Sequence, residues 1–180
     1  MRKNVIVFGL ISGLIITALM IYSTVMCIKS SDFEGSMVLG YASMLVAFSF
    51  VFIGVKNFRD KHNLGVITFG KAFMTGLYIT LVASTFYVLV WLVDYYVFIP
   101  DFLEKYTAHV LNQAKESGAT QAQISIQAAE MEEFKEMYKN PLFVVLMTYL
   151  EVLPIGLIFT LFSALVLRRK TPKRGIGQQS

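Results

Sequence analysis

Cysteine occurs once in this chain, at Cys27, so no internal disulfide can staple the fold. Charge is also scarce: Asp, Glu, Lys and Arg make up 16% of the residues, against about 25% in ordinary soluble domains. That excludes a disordered chain, which needs high charge and few apolar residues. It excludes a coiled coil as well, and it argues against a soluble enzyme. Histidine occurs only at His62 and His109. No G-x-S-x-G, H-E-x-x-H or Walker pattern is present. No catalytic residue, metal site or cofactor is therefore expected, and the protein reads as a non-enzyme.

What the chain has instead is apolar length. Hydrophobic residues are 56% of the total, and four runs reach the roughly 20 residues a spanning helix needs. They cover about 5–28, 37–55, 72–99 and 142–167, and none contains Lys or Arg. The first follows Met-Arg-Lys-Asn, a fair signal-peptide start. Its apolar run is too long for a signal sequence, and no small-residue cleavage site follows, so an uncleaved helix is expected. The reading is all-α: an integral membrane four-helix bundle forming one domain over 1–180.

Sixteen basic residues against twelve acidic ones give a net charge of +4. They flank the apolar runs, where they set orientation and do not call for a nucleic-acid partner. Eleven lie on one side: Arg2 and Lys3, then Lys56, Arg59, Lys61 and Lys71 between the second and third runs, then five in the tail over 168–180. Five lie on the other, at Lys29, Lys105, Lys115, Lys135 and Lys139. The positive-inside rule predicts both termini in the cytoplasm of a bacterial cell, with 101–141 outside the inner membrane.

That segment is too long to be structureless. Phe102, Tyr106, Val110 and Ala114 recur every four residues, then Gly118 breaks the pattern. Thr120 with Gln123 opens a second helix as a capping box. Ile124, Ala128, Met131, Phe134 and Tyr138 form its stripe. Asn140 and Pro141 suit the N-cap and first turn of the last span. An extracytoplasmic helical hairpin is predicted, packed through Tyr106, Val110, Met131 and Phe134. Glu132, Glu133 and Glu136 read as its solvated face.

Three blocks in fixed order carry a resemblance. They are Gly54-Val-Lys-Asn-Phe-Arg-Asp-Lys61 with Gly65-Val-Ile-Thr-Phe-Gly-Lys-Ala-Phe73, then Pro100-Asp-Phe102, then Met137-Tyr-Lys-Asn-Pro-Leu142 leading through Glu151 and Pro154-Ile-Gly-Leu157 to a basic end. Together they resemble the bacterial membrane family named domain of unknown function 4199. The resemblance covers nearly the whole chain and implies a four-helix membrane protein. It implies no activity.

Glu151 stands out among the candidate residues. It lies about 14 Å into the membrane along a straight helix. A charge there costs about 2.5–3.5 kcal/mol on insertion scales, which predicts that it faces other helices. Asp94 lies about 8 Å inside the end of the third span. Tyr87, Trp91 and Tyr95 lie around it in sequence as an aromatic belt, so it is expected to reach the headgroups. Two readings of Glu151 stay open. It is either a neutral group hydrogen-bonded across the bundle, or one half of an acidic pair with Asp94 that shares a proton or holds a cation. In the second reading, Pro154 adds a broken turn by freeing the Leu150 carbonyl. Gly9-x-x-x-Gly13, continued at Thr17, marks a close-packing stripe that serves either the chain's own helices or a dimer.

Two function classes follow. The first is a structural or interaction protein of the inner membrane, in contact with lipid and with a second copy or a membrane or periplasmic partner. The second is a small oligomeric proton- or cation-coupled permeation unit using Glu151 and Asp94. A polar lining between the third and fourth spans would favour transport, and dry, tight packing would favour the structural role.

Overall fold

A backbone in lipid must satisfy its own N–H and C=O groups, and the four apolar runs do so as helices. The computed structural model describes residues 1–30 and 33–169, with side-chain surroundings for 1–27 and 37–169. The basic tail beyond Arg169 lies outside the described residues. The long helices are α1 (Arg2–Ser30), α2 (Phe33–His62), α3 (Phe69–Val93) and α6 (Pro141–Leu167), with α4 (Phe102–Glu116) and α5 (Gln121–Tyr138) between the last two. Among the described residues, four helices are long and apolar enough to cross a membrane. Their outer faces carry exposed Leu14, Val38, Leu89 and Ile158. Apolar surface this extensive suits lipid rather than water.

Two boundaries differ from the sequence reading. α2 continues past Val55 to His62, because Lys56, Arg59 and Lys61 end the apolar run without ending the helix. The third span closes in a π-helical turn, Asp94–Phe98, where the Ile99 N–H reaches the Asp94 carbonyl at 2.9 Å. α6 runs unbroken through Pro154, which lies on its exposed face. The helix is not interrupted there, and proline, having no N–H, leaves the Leu150 carbonyl without its usual partner.

α3 packs on both α1 and α6, and α2 packs on the same two from the other side. A dry core fills the middle, where Phe48, Val51, Val55, Ile79 and Val152 are fully buried. The end that carries both termini is tied by polar bonds. The Asn4 side chain donates to the Gly54 carbonyl at 2.9 Å. Ile67 and Arg169 exchange backbone hydrogen bonds of 2.9 and 2.8 Å, joining the α2–α3 loop to the end of α6.

At the opposite end, α4 and α5 lie in contact with each other, joined by a short turn. Gly118 turns the chain at φ 80°, a value that favours glycine. Thr120 and Gln123 make both halves of the capping box. The Asn140 side chain accepts from the Leu142 N–H at 3.0 Å, with Pro141 in the first turn. Lys105, 2.7 Å from Asp101, holds that carboxyl below the usual range through a hydrogen bond. Glu132 and Glu136 pair with Lys135 and Lys139 on the exposed side. Tyr106, Val110, Met131 and Phe134 are half-buried, and α5 has no fully buried residue.

Candidate functional site

Two features separate the interior into halves: a sealed seam in the middle and a cavity at the hairpin end. The seam lies between α3 and α6. Gly76 faces Thr160 and Gly156 faces Thr80, so each helix offers a glycine to the other's threonine. The two threonine hydroxyls are 3.0 Å apart, and Thr80 also donates to the Gly156 carbonyl at 3.3 Å. A Cβ on Gly156 would collide with the Thr80 methyl and stand 2.9 Å from the Phe48 ring. The signal for this seam was present in the sequence as Gly76-x-x-x-Thr80 and Gly156-x-x-x-Thr160, two small-x-x-x-small patterns that the sequence reading missed.

The stripe that was noticed on α1 serves the fold itself. A Cβ on Gly9 would stand 2.7 Å from Val82, and one on Gly13 would stand 3.0 Å from Phe86, both on α3. Thr17 bonds back to the Gly13 carbonyl. The stripe therefore seats α1 on α3.

Above the seam, a cavity of about 140 Å³ opens where the helices splay. α3 contributes Tyr87 and Trp91, α2 contributes Tyr41, α6 contributes Glu151, and Phe102 at the start of α4 closes the hairpin side. Ile16 and Met20 of α1 line it from the other flank, and Ser23, Thr24 and Ser43 add hydroxyls. Trp91 meets Phe102 edge-on at 5.7 Å. From there, rings continue through Tyr95 (6.1 Å from Trp91) to Tyr138 of α5, which stands 5.2 Å from Tyr95. This aromatic chain fastens the hairpin to the spans. Burial pushes the Tyr138 hydroxyl up to about 12, with the neighbouring Trp91 indole N–H acting against it and the Glu151 carboxylate adding to it.

Glu151 lines the cavity, but its side chain is accessible, and no described residue donates a hydrogen bond to it. Asp94 corrects its expectation. It is buried in the protein at 8% exposure, and its Oδ2 has no partner among the described residues. Regular helical spacing accounts for this, since Asp94 follows the buried Thr80 and Tyr87 at intervals of seven and its own N–H still bonds the Val90 carbonyl; the π-helical turn begins only with it. No hydrogen bond joins Asp94 to Glu151, and only Glu151 lines the cavity. His62 ends α2 while His109 sits in α4, at opposite ends of the spans.

A buried carboxylate oxygen without a partner costs about 1–3 kcal/mol. Asp94→Asn, which keeps the volume, is therefore expected to raise the stability of the detergent-solubilised protein by about 1 kcal/mol. Thermal unfolding followed by circular dichroism would measure it. A loss of similar size would mean that Asp94 has a partner.

The sequence profile described as protein of unknown function (DUF4199) matches residues 7–169. The chain belongs to that family. No match to a curated protein or to a solved structure was found. DUF4199 membership agrees with the order of the three sequence blocks and with four apolar helices, and it carries no assigned activity.

Proposed function

We propose that this chain is a non-enzymatic, multi-pass protein of the bacterial inner membrane that acts through protein contacts of its hairpin. Both termini lie in the cytoplasm, and α4–α5 stands outside as part of a four-helix bundle. The observation that carries the reading is the α3–α6 seam. Its glycine–threonine contacts leave no room for water or ions between the two spans expected to line a pathway. The hairpin supports the other half of the reading. α5 is an 18-residue helix with no fully buried residue, packed along one side only, and Ile126 on it is 61% exposed.

Orientation is tested with single cysteines at Gln113 in α4 and Leu64 in the α2–α3 loop, after Cys27→Ser. A membrane-impermeant thiol reagent is expected to label Gln113→Cys in intact cells and to label Leu64→Cys only after lysis. The opposite pattern inverts the topology. The permeation reading is tested in vesicles holding a pH-sensitive dye. Wild type and Glu151→Gln are expected to show the same background flux under an imposed gradient. Flux above background that needs Glu151 would replace the contact reading with a transport one.

A further inference from the structure

The cavity at the hairpin end has a composition that selects its occupant. Four of its lining side chains are aromatic (Tyr41, Tyr87, Trp91 and Phe102), and Glu151 is the one charged residue among the described lining. Among the described residues no Lys, Arg or His belongs to that lining, so an anion would meet the Glu151 carboxylate with no described cation beside it. A hard inorganic divalent cation is bound chiefly by carboxylates and carbonyls, and Glu151 is the single carboxylate of the described lining, with no cluster of three metal-ligating side chains among the described residues. A neutral apolar molecule would fit the rings but leave the Glu151 carboxyl and the serine and threonine hydroxyls against an apolar surface. A cation with an apolar shell matches both parts of the described lining: the carboxylate balances its charge and its alkyl groups rest on ring faces.

Size and direction agree. The cavity's roughly 140 Å³ is close to the approximately 150 Å³ of an engineered cavity that holds benzene, and a trimethylammonium group is of similar bulk. Helical side chains lean toward the N-terminus of their helix, and the N-terminus of α6 is at the hairpin end. Glu151 therefore reaches up its helix toward the aromatic roof. Asp94 follows Trp91 by three residues, which places a second carboxyl near the hairpin side of the cavity. Tyr41 at 47% exposure, Met37 at 52% and the accessible Glu151 mark an open edge between α2 and α6, facing the bilayer.

We propose that this cavity binds a small alkylammonium group, with Glu151 as its counter-ion and Tyr41, Tyr87, Trp91 and Phe102 as its walls. The group comes either from a lipid headgroup entering between α2 and α6 or from a free organic cation. The site does not depend on which side of the membrane the hairpin occupies.

Trp91 is the only tryptophan in the sequence, so its fluorescence reports on the cavity alone. The full chain in a non-ionic detergent is titrated with choline chloride. Sodium chloride at equal concentration controls for ionic strength, and 3,3-dimethyl-1-butanol is the uncharged isostere. Choline is expected to shift Trp91 emission saturably, while the salt and the alcohol do not. Glu151→Gln is expected to raise the choline Kd at least about tenfold, a loss typical of removing a partly desolvated ion-pair partner. Tyr41→Leu, at an exposed position that tolerates change, is expected to weaken choline as well.

The source is read in vesicles. If the lipid headgroup is the ligand, phosphatidylcholine vesicles show the shifted emission without added choline. If a free cation is the ligand, phosphatidylcholine and phosphatidylglycerol vesicles show the same unshifted emission until choline is added. The proposal is overturned if the alcohol acts as strongly as choline. It is equally overturned if both variants bind choline like wild type, or if the folded wild type gives no saturable response.

Discussion

Gly156→Ala is expected to destabilise the protein by about 2 kcal/mol, although alanine is the better helix former. The two effects can be weighed. Replacing a mid-helix glycine with alanine gains about 0.5–1 kcal/mol. Against this, the new methyl would overlap the Thr80 methyl and press on Phe48, and overpacking of that kind costs about 1–3 kcal/mol. Separating α3 from α6 also stretches the Thr80–Thr160 hydrogen bond, itself a net contribution of about 0.5–1.5 kcal/mol. The steric terms win. Thr80→Ser removes the colliding methyl and keeps the hydroxyl, so the double variant is expected to recover part of the loss. Gly70→Ala is the control, because no heavy atom lies within 4 Å of the added Cβ. Its stability is expected to match or exceed wild type. Thermal unfolding in detergent measures all four proteins, and a Gly156→Ala variant as stable as wild type would refute the account of the seam.

Tyr138→Ala is expected to release the hairpin while leaving the spans folded. Tyr138 meets Tyr95, Phe134 and Phe143 with ring centroids at 5.2, 5.0 and 5.9 Å. Each aromatic pair contributes about 0.5–1.5 kcal/mol beyond burial. Losing three at once removes about 2–3 kcal/mol from a hairpin whose α5 buries nothing fully. Hydrogen exchange in α5 is expected to quicken, as is tryptic cleavage at Lys115, with no change in α2 or α6. Tyr138→Phe keeps the rings but removes the acceptor of the Trp91 N–H, so near neutral pH it is expected to cost only about 0.5–1.5 kcal/mol and to leave α5 docked. The hydroxyl adds an alkaline effect. Its pKa rises from 10.0 to about 12 on folding, so the folded chain keeps a proton that the unfolded chain gives up. Stability from Tyr138 is therefore present below about 10 and lost as the pH climbs toward 12. Tyr138→Phe is expected to remove that component of the alkaline loss.

Much of the architecture was legible before any coordinates. Four long apolar runs without Lys or Arg leave a chain in lipid no alternative to helices, so the number and order of the spans follow from composition and length. The two helices between the third and last spans were equally readable, because their signals are local. A four-residue stripe, the left-handed glycine at Gly118, the Thr120–Gln123 box and the Asn140-Pro141 start each act within a few residues of chain. Glu151 was legible as a residue of interest, since an acid in an apolar run costs free energy wherever it points.

What it points into was not legible. The cavity joins five helices, and nothing near Tyr41 in sequence marks it as a partner of Glu151. The burial of Asp94 follows the seven-residue spacing from Thr80 and Tyr87, but that this face of α3 meets other helices is decided only by the packing. Gly9 and Gly76 show the limit from the other side. Their small-residue patterns are written in the sequence, but the identity of the opposing helix is not. Apolar length and turn chemistry act along the chain and so belong to the sequence. Which faces meet is decided by the simultaneous fit of all four helices, and that fit exists only in the tertiary structure.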